Sequence, residues 1–277
     1  EAGALSNVGA VYESLGERQK ALDCYNQSLP LRRVVGDRRG EATTLNNIGK
    51  LYDSLGAEQR ALDYYNQSLA LSRTVGDRDG ESNTLNNIGI IYENLGERQK
   101  ALDYYNLALT LFRALGKRSG EATTLSNIGV VYKKLGERQK ALDCYNSSIP
   151  LYRAAGDRRG EAIALNNIGA LYESLGANQM AADHLKQALT LSRVAGDRKV
   201  EAAVLLGVAG TEAAQGKLLD AHSTAESALN IIESLRTKVI SPELRLSDFE
   251  GAKNYYEFSI DLLMRLHKLR PDERYDR

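Results

Sequence analysis

One 40-residue stretch occurs five times in succession, at 1–40, 41–80, 81–120, 121–160 and 161–200, with no residue inserted or deleted between copies. A fixed period of this size constrains the fold more than any single motif does. Each copy has to be one supersecondary unit, and the units have to stack. The copy at 41–80 reads EATTLNNIGKLYDSLGAEQRALDYYNQSLALSRTVGDRDG. Its first half places Leu45, Ile48, Gly49, Tyr52 and Leu55 at helical spacing. Its second half does the same with Ala61, Leu62, Tyr65, Leu69 and Leu71. Gly56 and Gly76 close the two helices, since glycine enters the left-handed conformation beyond a helix end without strain. Asp77 is placed to cap the helix that follows. Each helix is predicted to run about 15–18 residues, roughly 25 Å at 1.5 Å per residue. Neither can hide its apolar stripe alone, so burial requires neighbouring copies.

Leu45, Ile48-Gly49, Tyr52, Ala61 and Tyr65 fall on the offsets of the tetratricopeptide repeat signature, as do Leu5, Gly9, Tyr12, Ala21 and Tyr25 in the first copy. Over about 1–235 the chain therefore resembles that family. It departs from the usual pattern in three ways. Leu185 replaces the second tyrosine in the fifth copy, the period is 40 rather than the usual ~34, and Arg33, Arg73, Arg113, Arg153 and Arg193 stand at the final proline position. The last two departures resemble the long-repeat branch, which includes kinesin light chains and spindle-orientation adaptors. The resemblance implies an all-α, right-handed superhelical solenoid of antiparallel helix pairs. It also implies that the first helices line a concave groove holding extended or helical peptides.

The copies predict a division into six repeats over 1–240 and a C-terminal capping helix with a tail over 241–277. The sixth repeat is worn. Leu205, Gly216, Ala221, Ala228 and Leu229 keep the pattern, but Ala209 takes the first glycine position and Glu212 the tyrosine position. Terminal repeats with one neighbour are expected to drift in this way. Ser241-Pro242 is a helix start, with Ser as N-cap and Pro in the first turn, and the helix should run to about Leu269, before Pro271. The run 234–268, SLRTKVISPELRLSDFEGAKNYYEFSIDLLMRLHK, resembles the junction that joins long-period repeats to a caspase-like CHAT peptidase domain in bacterial, often cyanobacterial, proteins. That resemblance implies the repeat arm of a larger bacterial protein. The chain opens at Glu1 inside a repeat without an initiator Met, so it reads as a fragment. Missing upstream sequence or a self-association contact is expected against its exposed first helix.

Lys plus Arg and Asp plus Glu number 36 each, so no net field draws the chain to nucleic acid or an anionic membrane. No apolar run approaches the roughly 18 residues of a membrane span, and no signal peptide is visible. Cys24 and Cys144 occupy the same repeat position, where the second and third copies have Tyr64 and Tyr104. Stacking should hold them well beyond the ~7 Å reach of a disulfide, which fits a reducing cytoplasm.

Chemistry is sparse. His184, His222 and His267 lie in separate helical units with no metal-ligand spacing. The stretch 210–217, GTEAAQGK, has the wrong glycine spacing for a phosphate loop and no hydroxyl residue after its lysine. Glu41, Glu81, Glu121, Glu161 and Glu201 recur with the five arginines above, which reads as ion pairing between neighbouring repeats rather than acid–base machinery. No catalytic residue, metal or cofactor is expected.

What remains is the polar stripe of the first helices: Thr43, Asn46, Asn47, Lys50 and Asp53; Asn83, Asn86, Asn87, Ile90 and Glu93; Thr123, Ser126, Asn127, Val130 and Lys133; Asn166 and Asn167. The family resemblance maps this stripe onto the peptide groove. Its constant member is Asn7, Asn47, Asn87, Asn127 and Asn167. An amide with two donors and an acceptor suits a ligand backbone, and suits equally well the fastening of one helix to the next. Ile90 and Val130 would supply an apolar anchor, and the varying positions would supply ligand choice unless they record only drift. A protein- or peptide-binding scaffold is the reading, with end-to-end self-association as the alternative and an enzyme as the remote third.

Overall fold

The computed structural model describes residues 1–236 and 242–269, and every element among them is an α-helix. A first unit, Glu1–Glu137, holds α1 (Ala2–Ser14), α2 (Arg18–Val34), α3 (Arg38–Ser54), α4 (Glu58–Thr74), α5 (Arg78–Asn94), α6 (Arg98–Ala114) and α7 (Arg118–Lys134). A second, Arg138–Arg277, holds α8 (Arg138–Ala155), α9 (Arg158–Ser174), α10 (Asn178–Ala195), α11 (Arg198–Ala214), α12 (Leu218–Arg236) and α13 (Pro242–Leu269). Within each unit, neighbouring helices along the chain pack against one another, as the 40-residue period demands of an all-α repeat protein.

Local chemistry sets the helix ends. Asp37, Asp77, Asp157 and Asp197 each accept a hydrogen bond from the backbone N–H three residues on, at 2.8–3.2 Å. Lys117 stands at the equivalent point before α7 and caps nothing; its Nζ instead lies 3.1 Å from Asp79 Oδ2. At the other end, Gly56 and Gly76 turn the chain at φ of +67° and +68°, where a side chain would be strained.

Packing explains the constant residues. Ala61, Leu62, Tyr65 and Leu69 of α4 join Leu85, Ile88 and Ile91 of α5 in one core cluster, so each second helix is shared between its own first helix and the next. Gly49 is the point of closest approach inside a repeat. A Cβ there would lie 2.7 Å from the Tyr65 ring, and the same holds at 2.6 Å for Gly89 and Tyr105. Each fully buried side chain of this size contributes about 1.5–3 kcal/mol. Between repeats, Arg33–Glu41, Arg73–Glu81, Arg113–Glu121, Arg153–Glu161 and Arg193–Glu201 pair at 2.6–2.9 Å. The arginines are about half exposed, so each pair adds no more than about 0.2–1 kcal/mol.

The worn sixth repeat keeps the pairing with smaller side chains. Ala209, Ala213, Leu218, Ala221 and Ala225 pack against Leu262 and Leu266 of α13. Tyr255 of α13 joins Ala202, Leu205, Ala228 and Ile231. Ser241 and Pro271, read as the start and stop signals of this helix, lie outside the described residues. On α1, Val8 and Val11 remain 46% and 57% exposed, whereas their repeat equivalents Ile48 and Leu51 are buried. No described helix is long and apolar enough to cross a membrane.

Candidate functional site

The polar stripe of α3 and α5 borders a recess of about 420 Å³ in the first unit. Thr43, Asn46, Asn47 and Lys50 line it from α3, Asn83 and Asn87 from α5, and Ser68 and Ser72 from α4 between them. Thr43 and Asn83 stand exposed at its lip, while Asn46, Asn47 and Asn87 are half-buried. Arg39 and Asp77 close one end with a two-pronged pair at 3.1 Å.

Two of the constant asparagines, Asn87 and Asn127, fasten helix to helix. Asn87 Nδ2 donates to Asn46 Oδ1 at 3.0 Å, and Thr84 Oγ1 donates to the same oxygen at 3.3 Å. The motif repeats one step along, where Asn127 Nδ2 and Thr124 Oγ1 reach Asn86 Oδ1 at 3.3 and 3.1 Å. One donor each of Asn87 and Asn127 is thus engaged within the stack, leaving the second N–H and the carbonyl of Asn87 for other partners. Asn166 and Asn167 belong to α9, in the second unit, and are half-buried. There Gly207 and Val204 occupy the positions of the donating Asn and Thr, so Asn166 receives neither bond.

Farther along the first helices runs a column of carboxylates, Glu13, Asp53 and Glu93. Glu13 pairs with Lys50 at 3.2 Å and Glu93 pairs with Lys134. Among the described residues Asp53 has only an amide, Asn94 Nδ2, at 3.5 Å, and burial, with the nearby Glu58 charge, raises its pKa. Ile90 and Val130 are half-buried, Ser126 is buried, and Thr123 and Lys133 are exposed.

Sequence reasoning missed the hydroxyls behind this column. Tyr25, Tyr65 and Tyr105 start from second helices, and their rings lie against Gly9, Gly49 and Gly89 of the first helices. The carboxylates stand one turn beyond those glycines on the same helix face. Tyr25 Oη donates to Glu13 Oε2 at 3.1 Å. The Tyr65 and Tyr105 hydroxyls have their pKa values pushed up by burial and then by these carboxylates, Asp53 and Glu13 for Tyr65, Glu93 and Asp53 for Tyr105. The available signal was the constancy of Tyr where Phe would fill the same volume.

His184 tilts against Tyr172 at 5.3 Å, both cysteines are free, and burial pushes the Cys144 thiol up to about 11. Among the described residues no group of three or more His, Cys, Asp or Glu is gathered to hold a metal ion.

The repeated helix pair, the glycine–tyrosine contact and the shared second helix define a helical-repeat protein of the tetratricopeptide class. The tetratricopeptide repeat family model matches residues 1–74, 80–154, 120–193 and 160–234, and the chain belongs to that family. Against curated proteins the sequence finds no match. Similar solved structures include BtubC (BKLC) from P. vanneervenii, at 17% identity and a TM-score of 0.64, covering 84% of this chain and 95% of that one. A signal transduction ATPase (STAND) protein with a tetratricopeptide repeat sensor, from Pyrococcus horikoshii, aligns at 16% identity with a TM-score of 0.71. The alignment spans 99% of this chain but only 40% of that protein. A Rap protein complexed with competence and sporulation factor aligns at 15% identity with a TM-score of 0.68, over 96% of this chain and 76% of that one. At these identities the likeness is one of fold.

Proposed function

We propose that the chain is a non-catalytic protein-interaction scaffold, and that the first-helix face of α3, α5 and α7 holds a peptide segment of a protein partner. The observation that carries this reading is the recess of about 420 Å³ between α3 and α5, bordered by amides that keep hydrogen-bonding capacity after fastening the helices. Such a lining grips a peptide backbone without regard to its side chains. That a protein of the same fold was solved with a bound factor lends support. In this reading α13 closes the apolar end of the stack, and the chain is the partner-recruiting arm of a larger bacterial protein, as the resemblance of 234–268 implies. Its free thiols fit a reducing compartment such as the cytoplasm.

Selection of a displayed peptide library on the immobilised chain tests the proposal. Selected peptides should lose binding to Asn83→Arg, which fills the recess from its exposed lip, with the melting temperature unchanged. Undiminished binding to that variant would place the site elsewhere. End-to-end self-association remains the second reading, favoured by the exposure of Val8 and Val11. Light scattering across a dilution series that shows a constant monomer would remove it.

A further inference from the structure

The carboxylate column of the first unit follows a rule with one exception. A cation from the following repeat meets each end member: Lys50 meets Glu13, and Lys134 meets Glu93. In the repeat between, the equivalent of Lys50 is Ile90 and the equivalent of Lys134 is Asn94. The stack therefore brings Asp53 an apolar side chain and a neutral amide, the latter at 3.5 Å, and no cation. Lys50, one turn back on α3, is engaged with Glu13.

A second observation points to the same place. The side chain of Tyr105 is fully buried, yet its hydroxyl has no hydrogen-bond partner among the described residues. After burial, the charges that act on that hydroxyl are those of Glu93 and then Asp53, and Glu93 stands one turn beyond Gly89, against which the Tyr105 ring packs. A buried donor left unmet is costly. A carboxylate without a cation beside such a hydroxyl is a site with a group missing. The missing group carries positive charge, donates hydrogen bonds and has an apolar stem to lie along Ile90.

We infer that Asp53 anchors a lysine or arginine side chain of the bound peptide, with its aliphatic stem on Ile90 and its cationic head on the Asp53 carboxylate. The ligand thus completes in trans the pairing that Lys50 and Lys134 complete in cis. Long basic side chains suit the arrangement, since their stems pack on apolar surface while their heads seek a charge. This rests on the peptide-groove reading and adds the chemistry of the ligand to it.

The test compares peptides selected on the wild-type chain from a randomised display library. Peptides held on the first-helix face should share one basic position. Replacing that lysine by norleucine, or that arginine by citrulline, should weaken binding roughly ten- to a hundredfold, the range of a charge-assisted hydrogen bond. Asp53→Asn should lose the same factor. Ile90→Lys, which supplies the absent cation from within the chain, should exclude the basic side chain while leaving the fold intact, because Lys50 already occupies the equivalent place one repeat earlier. Peptides that bind this face with no basic preference, or whose affinity ignores both Asp53→Asn and Ile90→Lys, would overturn the inference and leave the groove reading standing. Failure to select any peptide would overturn both.

Discussion

Gly49→Ala should change sign with its partner. In the wild-type chain the added methyl would lie 2.7 Å from the Cδ1 and Cε1 atoms of Tyr65 and 3.1 Å from its Cζ. The ring is 1% exposed and shares its cluster with Leu85 and Ile88 of the next repeat, so it has nowhere to retreat. Overpacking of this kind destabilises by about 1–3 kcal/mol. Alanine in a helix interior returns about 0.5–1 kcal/mol relative to glycine. The net should be a loss of about 0.5–2 kcal/mol by these two estimates. Tyr65→Ala alone should lose about 3–5 kcal/mol through the cavity it leaves. In that background the clash is gone and the propensity gain remains, so Gly49→Ala should stabilise by up to about 1 kcal/mol. The chain has made this exchange itself: in the sixth repeat Ala209 stands for the glycine and Ala225 for the tyrosine, and both are buried in one cluster. Urea unfolding of the full chain gives the global ranking. Native-state hydrogen exchange of α3 and α4 amides reads the local effect where the array does not unfold as one step. Gly49→Ala having the same sign in both backgrounds would refute the steric account.

Three further outcomes are expected. Asn87→Ala combined with Asn127→Ala should lower the melting temperature by a few degrees, since each removes a helix-to-helix bond of about 0.5–1.5 kcal/mol; an unchanged melting curve would deny the amides their fastening role. Lys117→Asn should stabilise by up to about 1 kcal/mol by giving α7 the side-chain cap it lacks, whereas Lys117→Asp should gain less because the new carboxylate would face Asp79. Asp53→Asn should melt higher than wild type near neutral pH: the raised folded pKa of Asp53 means that its contribution to stability falls as pH rises from its unfolded value, ~3.9, through the folded one. The advantage should shrink as pH is lowered toward that unfolded value, and a pH-independent difference would contradict the burial argument.

The fold was legible because repetition makes one chain its own alignment. Gly49, Tyr65 and the Arg73–Glu81 pair announced themselves by recurring, and local rules sufficed for Asp77 as a cap. The site was less legible. Spacing along a helix shows that Asn47, Lys50 and Asp53 share a stripe, but not what faces them from a helix 40 residues away. The Asn ladder therefore stayed ambiguous until Asn87 was seen to donate to Asn46. Charge changes were also hidden by reading columns singly. Arg39 pairs with Asp77, but in the next repeat Asp79 pairs with Lys117, the same contact with its signs exchanged. Read alone, Lys117 is a lost cap; read with Asp79, it is half of a compensated pair.

The same crossing tyrosines argue for where binding concentrates. A second-helix hydroxyl reaches the first-helix carboxylates only because glycine lets its ring pass, so the core of each repeat sets the polarity of its outer face. In the first unit this holds for Tyr25, Tyr65 and Tyr105. In the fifth repeat Gly169 is kept, but the side chain against it is Leu185, which brings no hydroxyl to the carboxylate position at Glu173. In the sixth, Ala209 and Ala225 remove both the passage and the ring, and Glu212 replaces the first-helix tyrosine. The helices persist through these changes because the apolar volume is still filled, while the hydrogen-bonding equipment of the face is dismantled. Stability tolerates that loss, and under the proposed scaffold reading a ligand should be held by the first unit, where that equipment is intact.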